Sequence, residues 1–197
     1  MKPAIKELMD DHQVILRMLR ALNGMCLCLG EGKKVPLADL DAALDFIKTF
    51  ADHCHHGKEE DFLFPAMGEV GFPREGGPVG VMLSDHEEGR AYVKSLSVAL
   101  ERVRSGETAA LKDLARAAAG YCSLLSAHIG KEDNILYPMA MDAIPEARWK
   151  ILKNEFDRIE SERMGPKRRA GYVELVDRLM ISYPAPELAQ PSGGMCH

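Results

Sequence analysis

Apolar positions recur three and four residues apart along most of the chain. Between Ile5 and Leu29 they fall at Ile5, Leu8, Met9, Val14, Ile15, Met18, Leu19 and Leu22, the spacing of a helix buried on one side, and Gly30 and Gly32 close it. A second stripe, Leu37, Leu40, Ala43, Leu44, Ile47 and Phe50, starts after Pro36 and runs through a His-rich segment to Pro65. Gly71, Pro73, Gly76, Gly77 and Pro78 then make the longest loop. The third stripe opens near Val79 and stops at Ser105-Gly106; the fourth spans Thr108 to Met141. Two further amphipathic stretches follow Pro145, Trp149 to Met164 and Tyr172 to Ser182. No stretch alternates strictly between apolar and polar, so no sheet is expected. The pattern predicts an all-α protein: an antiparallel up-down four-helix bundle over residues 1–142, a C-terminal helical extension over 143–183 packed on or beside it, and a flexible tail over 184–197.

The chain also repeats itself. The segment from His55 to Pro65 aligns without gaps on that from His128 to Pro138, with six of eleven positions identical. An Asp-His pair precedes each copy: Asp11-His12 lies 43 residues before the first, and Asp85-His86 lies 42 before the second. Two helix pairs therefore stand in tandem, each giving one His from its first helix and a His-x-x-x-Glu from its second. On a helix such a pair shares one face, about 6 Å apart. A lone pair of this kind is often only a surface contact. The duplication and the matched upstream histidines are what direct His12, His55, Glu59, His86, His128 and Glu132 into one core. Two carboxylates buried among imidazoles are costly unless a cation joins them, and this donor mixture suits a pair of first-row metals with positions left open for a small ligand. The repeated endings Leu63-Phe64-Pro65 and Leu136-Tyr137-Pro138 read as core packing and helix termination. Lys58 and Lys131 read as solvated or snorkelling side chains.

Composition narrows the classes. The 197 residues are 46% hydrophobic and 28% charged, enough for a sizeable core. A net charge of -5 with scattered basic residues speaks against nucleic-acid binding. No apolar run reaches the roughly 18 residues of a membrane helix, and Glu7, Asp10 and Asp11 do not suit a signal peptide, so neither membrane contact nor export is expected. Five cysteines, an odd number without a CxxC pair, fit reduced thiols in a cytoplasm. Cys26 and Cys28 read as small apolar packing residues, with a redox pair as the alternative. The terminal Cys196 and His197 lack preorganisation.

In order and spacing these residues resemble the hemerythrin-like, or HHE cation-binding, domains over about residues 5 to 142. The resemblance implies two iron ions in an oxo- or hydroxo-bridged non-haem centre, with Glu59 and Glu132 bridging and the four histidines as terminal ligands. Members bind oxygen reversibly or act in oxygen sensing, iron homeostasis, or the handling of nitric oxide and peroxide. The chain departs from the oxygen carriers at Arg90, where they place a second His four residues after the first. It offers Asp133 where they place an Asp, but the repeat favours Glu132. His56 is the candidate for a further ligand, although neighbouring α-helical positions diverge by about 100°. His53 points elsewhere, exposed or capped. A set short of five imidazoles would favour sensing or consuming a small oxidant (dioxygen, nitric oxide or peroxide), with weak peroxidase-like or nitric-oxide-reducing turnover. The alternative is a non-enzymatic iron or redox sensor, or a reversible oxygen store. Asp11 and Asp85 are candidates to accept a histidine N–H from a neighbouring helix. Tyr121 and Tyr137 are either hydroxyl donors to the site or core aromatics. In the extension, Arg148, Lys150, Lys153, Arg158, Arg163, Lys167, Arg168 and Arg169 form a basic tract that either meets a protein partner or packs on the bundle. A ferritin-like oxidase would carry Glu-x-x-His instead, and no hydrolase signature is present.

Overall fold

A computed structural model describes residues 1–186, and the described residues contain helices and no strand. The tail expected over 184–197 falls mostly outside them, as do Cys196 and His197. The first rod is α1 (Pro3–Gly30). The second begins as α2 (Leu37–Phe46), widens into the π-helical segments π1 (Ile47–His56) and π2 (Glu59–Leu63), and ends as α3 (Phe64–Gly68). The third is α4 (Gly77–Arg104). The fourth runs α5 (Ala110–Lys131), π3 (Glu132–Leu136) and α6 (Tyr137–Ala143). Two helices follow, α7 (Glu146–Arg163) and α8 (Pro166–Ser182). Helix α1 packs on α5, α7 and α8, and α4 packs on α5.

Pro65 and Pro138 do not terminate their helices as expected. Each sits in the first turn of an α-helical segment, α3 or α6, that continues the rod. A proline inside an α-helix loses a hydrogen bond and collides with the carbonyl four residues earlier. Here a π segment precedes each proline, and its wider turn supplies the room an α-turn lacks.

The core is two apolar clusters. One gathers Met18, Leu22, Phe46, Phe50, Leu96 and Leu125 with Tyr172, Val176 and Leu179 of α8. The other gathers Ile5, Leu8, Leu63, Met82 and Tyr137 with Trp149, Leu152 and Phe156 of α7. Both extension helices thus bury their apolar stripes against the bundle. Much of the basic tract turns onto bundle carboxylates as well: Arg148 to Glu69, Lys153 to Glu7, Arg163 to Asp61, Arg168 to Asp45 and Arg169 to Asp11.

Candidate metal centre

Between the two clusters every long rod contributes polar side chains to one buried layer. In α1, His12 stands between Leu8 and Ile15; in α4, His86 follows Met82 and precedes Leu96; the other two rods bring His55, His56, Glu59, His128 and Glu132. All seven are buried, five imidazoles and two carboxylates. Glu59 opens π2 and Glu132 opens π3, so the wide turns recur at matching places in the two copies of the repeat. The first copy has π1 in addition. A wider turn splays consecutive residues less than an α-turn does, and this brings His56 as well as His55 to the layer. Its counterpart Ile129 belongs instead to the apolar core.

The donor atoms fall into two groups: His56, Glu59, His86 and His128, and His12, His55 and Glu132, with the atoms of each group within 4.8 Å of one another. Nε2 of His12 faces Nε2 of His55 at 3.1 Å, and Nε2 of His86 faces that of His128 at 3.1 Å. Glu132 Oε2 lies 3.2 Å from Nε2 of both His12 and His128; Glu59 Oε2 lies 3.8 Å from Nε2 of His55 and 3.6 Å from that of His86. Among the described residues no hydrogen bond reaches Glu59 Oε2 or either oxygen of Glu132. Three carboxylate oxygens buried without a protein hydrogen bond carry a desolvation cost that a bound cation would offset.

The opposite ring nitrogens turn outward. His12 Nδ1 meets Asp133 at 2.7 Å, His86 Nδ1 meets Glu60 at 2.7 Å, His128 Nδ1 meets Asp85 at 3.2 Å, His56 Nδ1 meets Asp52 at 3.4 Å, and His55 Nδ1 lies 3.5 Å from Asp11. All five rings turn Nδ1 toward a carboxylate, though His55 Nδ1 makes no hydrogen bond, and His12, His55, His86 and His128 face inward with Nε2, the orientation that ligating histidines adopt. Tyr137 donates its hydroxyl to Glu59 at 2.7 Å, lies 3.3 Å from His12 Nε2, and stacks on the His12 ring. Phe64, at the matching position of the first copy, stacks on His86 without a hydroxyl.

With protein groups alone the layer is electrostatically divided. Burial and the charge of Glu132 push the Glu59 carboxyl far above the usual range. Burial would raise Glu132 too, but the nearness of His128 and His12 holds it well below. Burial opposes charging His12, yet Asp133 and Glu132 push its imidazole up to about 9. Burial drives His55 down to about 3 and lowers His56 and His86. Burial and the two glutamates hold the Tyr137 phenol well above its ordinary range, so it keeps its proton.

Asp85 lies within hydrogen-bond distance of His128 on its partner helix, and Asp11 lies 3.5 Å from His55 Nδ1 without a hydrogen bond. Glu60 and Asp52 escaped the sequence reading. For Glu60 the signal was available, because both copies carry an acid five residues after the histidine, Glu60 and Asp133. Arg90, which stands where oxygen carriers place a histidine, bridges Asp52 at 2.8 Å and Glu60 at 2.6 Å behind His56 and His86. His53 is exposed. Tyr121 packs in the apolar core, and burial raises its phenol. Lys58 corrects an expectation: it is fully buried rather than solvated, paired with Glu7, Asp11 and Glu160, whereas Lys131 is partly exposed and pairs with Asp85. A buried ammonium persists there because three carboxylates surround it.

Residues 4–140 match the family model of the hemerythrin HHE cation binding domain. The chain is also similar to an uncharacterized protein of Mycobacterium tuberculosis and to one of Mycobacterium bovis. Each is 23% identical over 176 residues, covering 89% of this chain and 67% of the relative. No solved structure matches the chain at a significant level. Among the described residues no helix is long and apolar enough to cross a membrane.

Proposed function

The chain belongs to the hemerythrin HHE cation-binding domain family, and from that membership we propose a non-haem di-iron protein that binds, senses or consumes a small oxidant: dioxygen, nitric oxide or peroxide. One observation carries the reading. Five buried imidazoles surround three carboxylate oxygens that no donor among the described residues satisfies. Two iron ions match that donor set in softness and charge. The four rods would form an antiparallel up-down bundle of two tandem helix pairs, and the protein would work in a cytoplasm.

His56, Glu59, His86 and His128 would hold one iron and His12, His55 and Glu132 the other. Bound iron supplies electron transfer and Lewis acidity for a small ligand. The group with two imidazoles has fewer protein donors, and the small ligand would bind there. Tyr137 holds a proton between Glu59, to which it donates, and His12, and would supply a hydroxyl donor at that position. Asp133 and Asp11 orient the two rings of that position, and the flanking apolar clusters exclude water. His56 favours a second reading, reversible oxygen binding or storage, because it brings the imidazole count to five.

The test is titration of anaerobically reduced, iron-loaded protein with dioxygen, nitric oxide and peroxide. A spectral change saturating near one ligand per iron pair supports the proposal, and no response to any of the three contradicts it. An oxygenated spectrum stable and reversible over many cycles selects storage; its decay with net consumption of the oxidant selects turnover.

A further inference from the structure

The two motif copies differ in what backs them. Behind His55, Asp11 Oδ2 is held by Lys58 at 3.1 Å, while Asp11 Oδ1 is held by Arg169 of α8 at 2.5 Å. Glu160 of α7 ties the two cations together, accepting from Lys58 at 2.6 Å and from Arg169 at 3.2 Å. Both oxygens of the carboxylate that faces a site histidine are thereby pinned, one of them by the extension. Burial would raise the Asp11 carboxyl, but its contact with His55 and the charges of Lys58 and Arg169 hold it well below the ordinary range.

Helix α7 grips the same wall a second time. Arg163 donates to the His53 carbonyl at 2.7 Å and to Asp61 at 2.6 Å, on either side of the stretch carrying His55 and Glu59. Gly57 makes this possible, since a Cβ built there would run into the Arg163 guanidinium. In the second copy nothing among the described residues comes within 4 Å of a Cβ on Gly130. There Asp85 has Lys131 as its one cationic partner among the described residues, and that lysine is partly exposed.

We propose that Glu160 and Arg169 are positioning residues for the metal position formed by His12, His55 and Glu132. They fix Lys58 and Asp11, whose carboxylate lies 3.5 Å from His55 Nδ1 as the acceptor that ring would use when it ligates, so the C-terminal extension governs how tightly one of the two metals is held. The inference rests on the di-metal reading. Its physical basis is charge balance as well as geometry. Glu7, Asp11 and Glu160 share Lys58 and Arg169; without the guanidinium, Asp11 and Glu160 compete for one ammonium, and one oxygen of Asp11 loses its anchor. At the other position the mirror-image lysine already shares its carboxylate with solvent, so its loss changes little.

The experiment uses the full chain loaded with iron-57, challenged with a ferrous chelator and followed by retained iron and by Mössbauer spectra. Arg169→Gln and, separately, the isosteric Glu160→Gln are compared with wild type, with the mirror variant Lys131→Gln and with Arg169→Lys as rescue. The expected result is that each neutralising variant weakens retention of one iron by about ten- to hundredfold, altering one quadrupole doublet and leaving the other unchanged. Lys131→Gln should change retention by less than about twofold, and Arg169→Lys should restore most of the loss. Variants that melt like wild type but lose both irons together, or lose neither faster, overturn the proposal. A wild-type chain that retains no iron pair fails earlier and differently: it overturns the di-metal reading itself.

Discussion

The two copies of the eleven-residue motif carry the same donors in unlike surroundings. Their first-helix histidines, His12 and His86, are backed by acids from the opposite copy, Asp133 and Glu60, and their second-helix histidines, His55 and His128, by acids of their own copy, Asp11 and Asp85. That much follows the repeat. The differences are His56 against Ile129, Phe64 against Tyr137, and a wall covered by α7 and α8 against one left open. Duplication builds a paired nest, and departures from it make one position richer in imidazole and the other richer in proton donors. An exogenous ligand needs that inequivalence if it is to choose one end.

The comparison breaks most completely if the cover is removed. Ending the chain at residue 144 would expose the partners of Trp149, Leu152, Phe156, Tyr172, Val176 and Leu179. At about 1.5–3 kcal/mol for each buried side chain, the loss rivals the whole stability of a typical domain. The truncated chain should lack a cooperative melt by circular dichroism. A sharp transition near the wild-type temperature would show that the covered copy does not need its cover.

The lysines come next. Lys58→Met removes the buried ammonium that Glu7, Asp11 and Glu160 share, leaving them only Lys153 and Arg169, and should destabilise the protein by about 3–5 kcal/mol in urea unfolding. Lys131→Met should cost no more than about 1 kcal/mol. Equal losses would erase the distinction. Gly57→Ala should cost about 1 kcal/mol because the new methyl pushes the Arg163 guanidinium off the His53 carbonyl and Asp61, whereas Gly130→Ala, an open helical position among the described residues, should be neutral or stabilising by under about 1 kcal/mol. Opposite signs in paired thermal melts would sharpen the contrast; matching signs would blunt it. The smallest effect is expected at the aromatic pair. Tyr137→Phe removes a donor from Glu59 and should lower stability by about 1 kcal/mol, measurable by the same unfolding assay, and a variant fully as stable as wild type would make the hydroxyl contact incidental.

Much of this was legible beforehand because the informative signals are local. Three-and-four spacing located the rods, and the self-alignment located six of the seven inward donors. Turn width has no comparable trace: the π segments arise where packing on both sides of the site accommodates an extra residue, so the orientation of His56 and the continuation of the rods through Pro65 and Pro138 were not readable from α-helical arithmetic. Lys58 shows a different limit. It is identical to Lys131 within an identical tetrad of motif residues, and only the docking of α7, distant in sequence, buries one and leaves the other wet. The extension also carried two readings, core or partner surface. Its apolar stripe packs in the core, and several of its cations close on bundle carboxylates.

The central claim, that the repeated histidines hold a pair of iron ions, is tested most directly by elemental analysis of protein made in iron-replete medium, for wild type and for His55→Ala/His128→Ala. Wild type should carry about two irons per chain and the double variant far fewer. Equal iron in both, or none in either, would contradict it.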